Sequence, residues 1–160
     1  MDATMRVSAL AAAGWLVASC ATALATPVAG DGAMHDAELA SRLGANEQGL
    51  RAYVFVLLKS GPNKLPPGPE RAEMFKGHFA NIQRLSDEGK LVYAGPLDGV
   101  DGRRGIFIFA VPDIEEVKKL VATDPVIEKG EMVAEYHKHF GSAALMQVPQ
   151  THKRLVKKSQ

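Results

Sequence analysis

Cysteine is almost absent from the 160-residue chain: Cys20 is the only one, so no internal disulfide and no thiolate metal cluster can form. Aromatic residues are scarce at 6%, and neither sign of charge dominates, with 19 Lys and Arg against 18 Asp and Glu. The balance is uneven along the chain. The last ten residues (THKRLVKKSQ) carry four basic side chains and no acid, leaving 15 basic against 18 acidic side chains, a net of −3, over residues 1 to 150. A domain of that sign is a poor general binder of a phosphate backbone, which argues against nucleic acid as a partner. G-x-S-x-G, a P-loop, G-x-G-x-x-G before a helix and C-x-x-C are all missing, so serine-hydrolase, nucleotide and dinucleotide chemistry lose support and no cofactor is implied.

Charge is also missing from Val7 to Gly30, an alanine-rich apolar stretch that follows Arg6 and ends in small residues, the pattern of a secretory signal peptide. Two cleavage readings stay open. Ala23-Leu24-Ala25 is an A-x-A site before Thr26, whereas Val17-Ala18-Ser19-Cys20 resembles a lipobox whose Cys20 would carry a lipid anchor. An uncleaved anchor is a third alternative. Translation from Met5 instead of Met1 would remove Asp2 from the positive start. The expectation is a periplasmic or otherwise exported protein, touching membrane only through a lipid at Cys20.

What remains divides into a leader (26–49), a folded domain (50–145) and a basic tail (146–160) that looks like a solvated end. Within the leader, His35 to Leu43 suits two helical turns stopped by Gly44. Arg51 to Lys59 (RAYVFVLLK) reads as a central strand buried on both faces. Four of the nine prolines follow in Ser60 to Pro69, which excludes regular structure there. From Glu70 to Glu88, Met74, Phe75, His78, Ile82 and Leu85 recur at helical spacing before Gly89. Lys90 to Ala94 and Gly105 to Val111 predict a hairpin, Asp113 caps a helix through Val121, and Glu131 to Phe140 is the last strand. The order is β-α-β-β-α-β, an α+β chain of ferredoxin-like arrangement.

His78 is the sharpest candidate for chemistry. An imidazole changes charge near neutrality, and here it occupies a helix stripe where an aliphatic side chain would pack more cheaply. A hydrogen-bonded core histidine is the competing reading. Asp124, followed by Pro125, suits the N-cap of a short helix. Brought within about 3 Å of the imidazole, the same carboxylate would fix its tautomer and the pair could move a proton. His137 and His139 share one face of the last strand, but no third ligand is evident and no metal site is expected. Arg104, beside Arg103, could hold an anionic group; Tyr53 and His137 are further candidates for ligand contact, and Gly95-Pro96 for the pocket wall.

The stretch His78 to Leu97 (HFANIQRLSDEGKLVYAGPL), a Gly/Asp-rich turn, the strand GIFIF, then Thr123-Asp124-Pro125 and Gly130 resemble, in that order, the YciI-like (YCII-related) family over about residues 50 to 140. The resemblance implies the dimeric α+β barrel type, a homodimer packed sheet against sheet, with a pocket near a His and an Asp that map onto His78 and Asp124. It also implies small-molecule chemistry such as proton abstraction or dehydrohalogenation on hydroxylated rings. The expected function is therefore a small-molecule enzyme of lyase, isomerase or hydrolase type with His78 as general acid or base; the alternative is a non-catalytic, small-ligand-binding or envelope-associated dimer. The export signal, the proline-rich loop and the segment after Gly141 depart from the family pattern and put any carried-over substrate in doubt.

Overall fold

A computed structural model describes residues 34–157. The signal segment with both cleavage positions, Cys20 and the alternative start lie outside the described residues. Helix α1 (Ala37–Leu43) begins where the Asp36 side chain accepts the Leu39 N–H and ends at Gly44, as the leader sequence predicts.

Four strands form one antiparallel sheet in the order β2-β3-β1-β4, with β1 (Leu50–Ser60) and β3 (Arg103–Phe109) central and β2 (Leu91–Pro96) and β4 (Met132–Ser142) at the edges. Helix α2 (Pro69–Asp87) connects β1 to β2; α3 (Ile114–Val121) and the single turn α4 (Pro125–Glu128) connect β3 to β4. This is the ferredoxin-like α+β fold that the element order predicts.

The core lies between the sheet and its helices. Val54, Val56 and Leu58 on β1 and Phe107 and Phe109 on β3 pack against Met74 and Leu85 of α2, Val117 and Val121 of α3, and Val126 of α4. The other sheet face departs from expectation: Phe55, Leu57, Ile106 and Ile108 are only half-buried, so β1 is fully covered on one face alone. An apolar run says that both faces avoid water; it does not say that one chain supplies both covers.

The basic end takes up regular structure, although residues 151–157 remain exposed. Residues 143–147 make a 3₁₀ segment and Val148–Leu155 form helix α5, tied down by Lys153 Nζ donating to Asp87 Oδ1 at 2.6 Å. Val148, Pro149 and His152 flank a groove along α2 and β2. Its short apolar set gave no clear helical stripe beside four cations, which is why the sequence reads as a tail.

Leu85 is 1% exposed at the centre of this packing. Leu85→Ala is expected to lower stability by about 2–5 kcal/mol through transfer and cavity terms, whereas Val100→Ala in the exposed β2–β3 turn changes it by less than about 0.5 kcal/mol; urea denaturation checks both.

Candidate active site

Helix α2 buries Met74, His78, Asn81 and Leu85, a stripe repeating at three and four residues. His78 is thus carried inward by the helix period, and what it meets is set by the start of α4. There Asp124 adopts extended backbone and its Oδ1 accepts the Val126 N–H at 3.1 Å, while Pro125 occupies the first turn. The same carboxylate accepts His78 Nδ1–H at 2.7 Å through Oδ2 and 2.9 Å through Oδ1. Asp124 is fully buried and His78 is 7% exposed.

The approach of the two elements depends on Gly77. A Cβ at that position would lie 2.9 Å from Cγ of Pro125, so only glycine lets α2 settle onto α4 at this depth. Asn81, one turn on, reinforces the junction: its Oδ1 accepts from the Thr123 hydroxyl at 3.1 Å and from Arg84 at 2.7 Å. With Nδ1 committed to Asp124, Nε2 is the ring nitrogen left to act on a ligand.

His78 opens on a cavity of about 370 Å³, within the size range of small-molecule sites. Its wall is largely apolar: Leu58, Phe75, Phe79, Ile82, Phe107 and Met132. Three of these rings surround the imidazole, with Phe107 stacked at 6.1 Å, Phe75 edge-on at 6.1 Å and Phe79 at 5.4 Å. Gly95, Pro96 and Arg104 complete the wall, so these three sequence candidates gather with His78.

Arg104 reaches the cavity through an irregularity. Leu58 pairs with Gly105 and Lys59 with Arg103, which leaves Arg104 as the extra residue of a β-bulge. Strict alternation would put it on the opposite face from Gly105 and Phe107. Among the described residues no side chain hydrogen-bonds or pairs with its guanidinium.

Tyr53 and His137, the other two candidates for ligand contact, do not line this cavity. Both stand on the half-covered sheet face, because β1 and β4 alternate in step: Tyr53 opposes His139 and Phe55 opposes His137. Tyr53 is buried and donates its hydroxyl to Ser142 O at 2.9 Å; burial pushes its phenol up, against the opposing pull of the Arg51 charge. His137 is exposed beside the Phe55 ring. Among the described residues no group of three His, Cys, Asp or Glu could hold a metal ion.

The sequence reading missed the aromatic cage, since Phe79 and Phe107 look like ordinary packing residues, and it missed Glu131. That carboxylate is 2% exposed, accepts from Arg71 at 2.7 and 3.3 Å and accepts the Leu65 N–H at 2.8 Å. A single acid between a glycine and an apolar strand carries no signal of such a role. Burial pushes its pKa up, but the Arg71 and Leu65 hydrogen bonds and the charges of Arg71 and Arg104 outweigh it and hold the carboxyl below the usual range.

A family model for the YCII-related domain matches residues 52–138. No curated protein matches the chain. Among solved structures, it is similar to the 5-chloro-2-hydroxyhydroquinone dehydrochlorinase (TftG) of Burkholderia phenoliruptrix AC1100 in complex with 2,5-dihydroxybenzoquinone, at 22% identity and a TM-score of 0.36, covering 54% of this chain and 94% of that one.

Three outcomes are expected. Gly77→Ala forces α2 from α4, and Asp124→Ala costs about 2–4 kcal/mol from a lost cap (about 1) and an unsatisfied buried N–H (about 1–3); both should shift the His78 ring away from the Nδ1–H tautomer in ¹⁵N NMR. Glu131, with a folded pKa below its unfolded value of about 4.3, contributes stability that is complete above that value and is lost as pH falls through the folded one. The stability gap between wild type and Glu131→Gln in urea should therefore narrow from pH 6 towards pH 3.

Proposed function

The chain belongs to the YCII-related domain family, whose model spans more than half its length, and from that premise we propose that it is a small-molecule enzyme in which His78 transfers a proton and Asp124 orients and charge-balances it. The observation that supports this most directly is the contact of a buried carboxylate with Nδ1 of an imidazole whose remaining nitrogen borders a cavity.

In this reading Nε2 of neutral His78 removes a proton from the ligand, and the imidazolium so formed is stabilised by Asp124 at 2.7 Å. The negative charge that develops on the ligand is met by Arg104. The proton then returns to another atom, giving isomerisation, or the electron pair expels a leaving group, giving elimination. The apolar wall keeps water from competing for the proton and strengthens each electrostatic contact. A flat ligand suits the three rings around the imidazole.

The same reading includes a homodimer, supported by the half-covered apolar face of Phe55, Leu57, Ile106 and Ile108, which a second sheet would bury. It also includes export, supported by the uncharged stretch after Arg6. A non-catalytic ligand-binding role is favoured by one observation, the deep burial of His78.

Hydrogen exchange separates the two. Incubated in D₂O with a panel of hydroxylated aromatic and enolisable compounds, the wild type should wash protium out of at least one, and His78→Ala should slow that exchange by about 10²–10⁴ while binding the same compound. Equal exchange by the variant removes His78 from the chemistry.

A further inference from the structure

We propose that Glu131 selects the charge of the ligand, so that the cavity accepts a compound bearing one negative charge at the end that meets Arg104. This rests on the preceding assignment of Arg104 to an anionic group and extends it to a residue that does not line the cavity.

One guanidinium, that of Arg104, lines the cavity, and a second, that of Arg71, lies behind the lining ring of Phe75, paired with the buried carboxylate of Glu131. Glu131 spends its acceptor capacity on Arg71 and on the Leu65 N–H, three hydrogen bonds in all. Arg71 is thereby neutralised and laid over the Phe75 ring at 4.8 Å, and Phe75 is the ring that stands edge-on to His78. The Leu65 hydrogen bond, with Gly61 N–H donating to Glu131 O and Asn63 N–H to Gly130 O, fastens the proline-rich loop to the start of β4, whose Met132 lines the cavity.

Most other cations around this end are paired, while Lys64 stands exposed on the proline-rich loop. Lys59 pairs with Glu135 at 2.8 Å, Lys129 with Glu70 at 3.1 Å, and Arg103 with Asp101 at 3.3 Å. Among the described residues, Arg104 is the Lys or Arg that lines the cavity, and no carboxylate forms an ion pair with it. At the opposite end the negative charge of Asp124 lies behind the imidazole, which disfavours a second anionic group there. One positive charge on the rim and one negative behind the base fit a ligand with a single acidic end and an apolar or neutral body.

Glu131 is a positioning and specificity residue in this scheme, since it acts through Arg71 and Arg104. Calorimetric titration of the full chain with benzoate, its neutral isostere benzamide, and phenylphosphonate at pH 8 tests it. The wild type should prefer benzoate to both. Glu131→Gln leaves two uncompensated cations and should raise the phenylphosphonate-to-benzoate affinity ratio about tenfold, the order expected for one unit charge removed roughly 10 Å away near a protein surface; Glu131→Asp should restore the wild-type ratio. If Glu131→Gln weakens both ligands equally or leaves the ratio unchanged, the proposal is overturned. Should that variant not fold, Arg71→Met serves: Glu131 then turns to Arg104, and benzoate affinity should fall about tenfold with benzamide unaffected, whereas unchanged benzoate affinity overturns the proposal. Arg104→Gln separates the premise from the inference. Wild-type benzoate affinity in that variant removes the anion reading itself, while weakened benzoate binding there with an unmoved ratio in Glu131→Gln removes only the role of Glu131.

Discussion

A buried carboxylate must find hydrogen-bond donors or lose its charge, and Asp124 finds two of different origin. One is the backbone N–H at the start of α4 and the other is the imidazole of His78, which lies 46 residues earlier in the chain. The first makes Asp124 a helix cap; the second joins α4 to α2 and fixes which nitrogen of His78 faces the cavity. Gly77 permits the contact by leaving room for Pro125, and Asn81 with Thr123 holds the same junction from the next turn. The cap and the imidazole contact of Asp124 are thus one arrangement, because the same carboxylate accepts both hydrogen bonds while His78 lines the cavity.

Around that pair the cavity divides into an apolar body and a charged rim. Phe75, Phe79 and Phe107 enclose the imidazole in an apolar surrounding, where a charge is poorly screened. Arg104 is positioned at the rim by a bulge in β3, a local departure from the pleat that places a long cation beside Gly105 instead of across the sheet. Glu131 and Arg71 brace the facing side through the proline-rich loop. The loop's prolines stiffen it, and it is held to the start of β4 by backbone hydrogen bonds and the Glu131 carboxylate.

Most of the fold was legible because local chemistry agrees with the tertiary arrangement. Asp36, Asp113 and Asp124 each cap the helix they precede, and Gly44 and Gly89 take positive φ where α1 and α2 stop. The buried stripe of α2 announces His78, and Thr123-Asp124-Pro125 announces α4. The site was legible in part. Gly95, Pro96 and Arg104 were placed with His78, whereas Tyr53 and His137 belong to the other sheet face, since being on a strand does not say which face a residue takes until the register is known. Glu131 and helix α5 were missed because a single acid and a lysine-rich end each carry the composition of solvated surface.

By itself, then, the amino-acid sequence determined the elements, their order and the inward direction of His78, because these depend on hydrophobic period, capping and proline, which act over a few residues. Only the tertiary structure decided that His78 meets Asp124, that a bulge brings Arg104 to the same cavity, and that Glu131 is buried against Arg71. Those contacts join residues far apart in the chain, and their formation depends on strand register and helix docking, which no local pattern encodes.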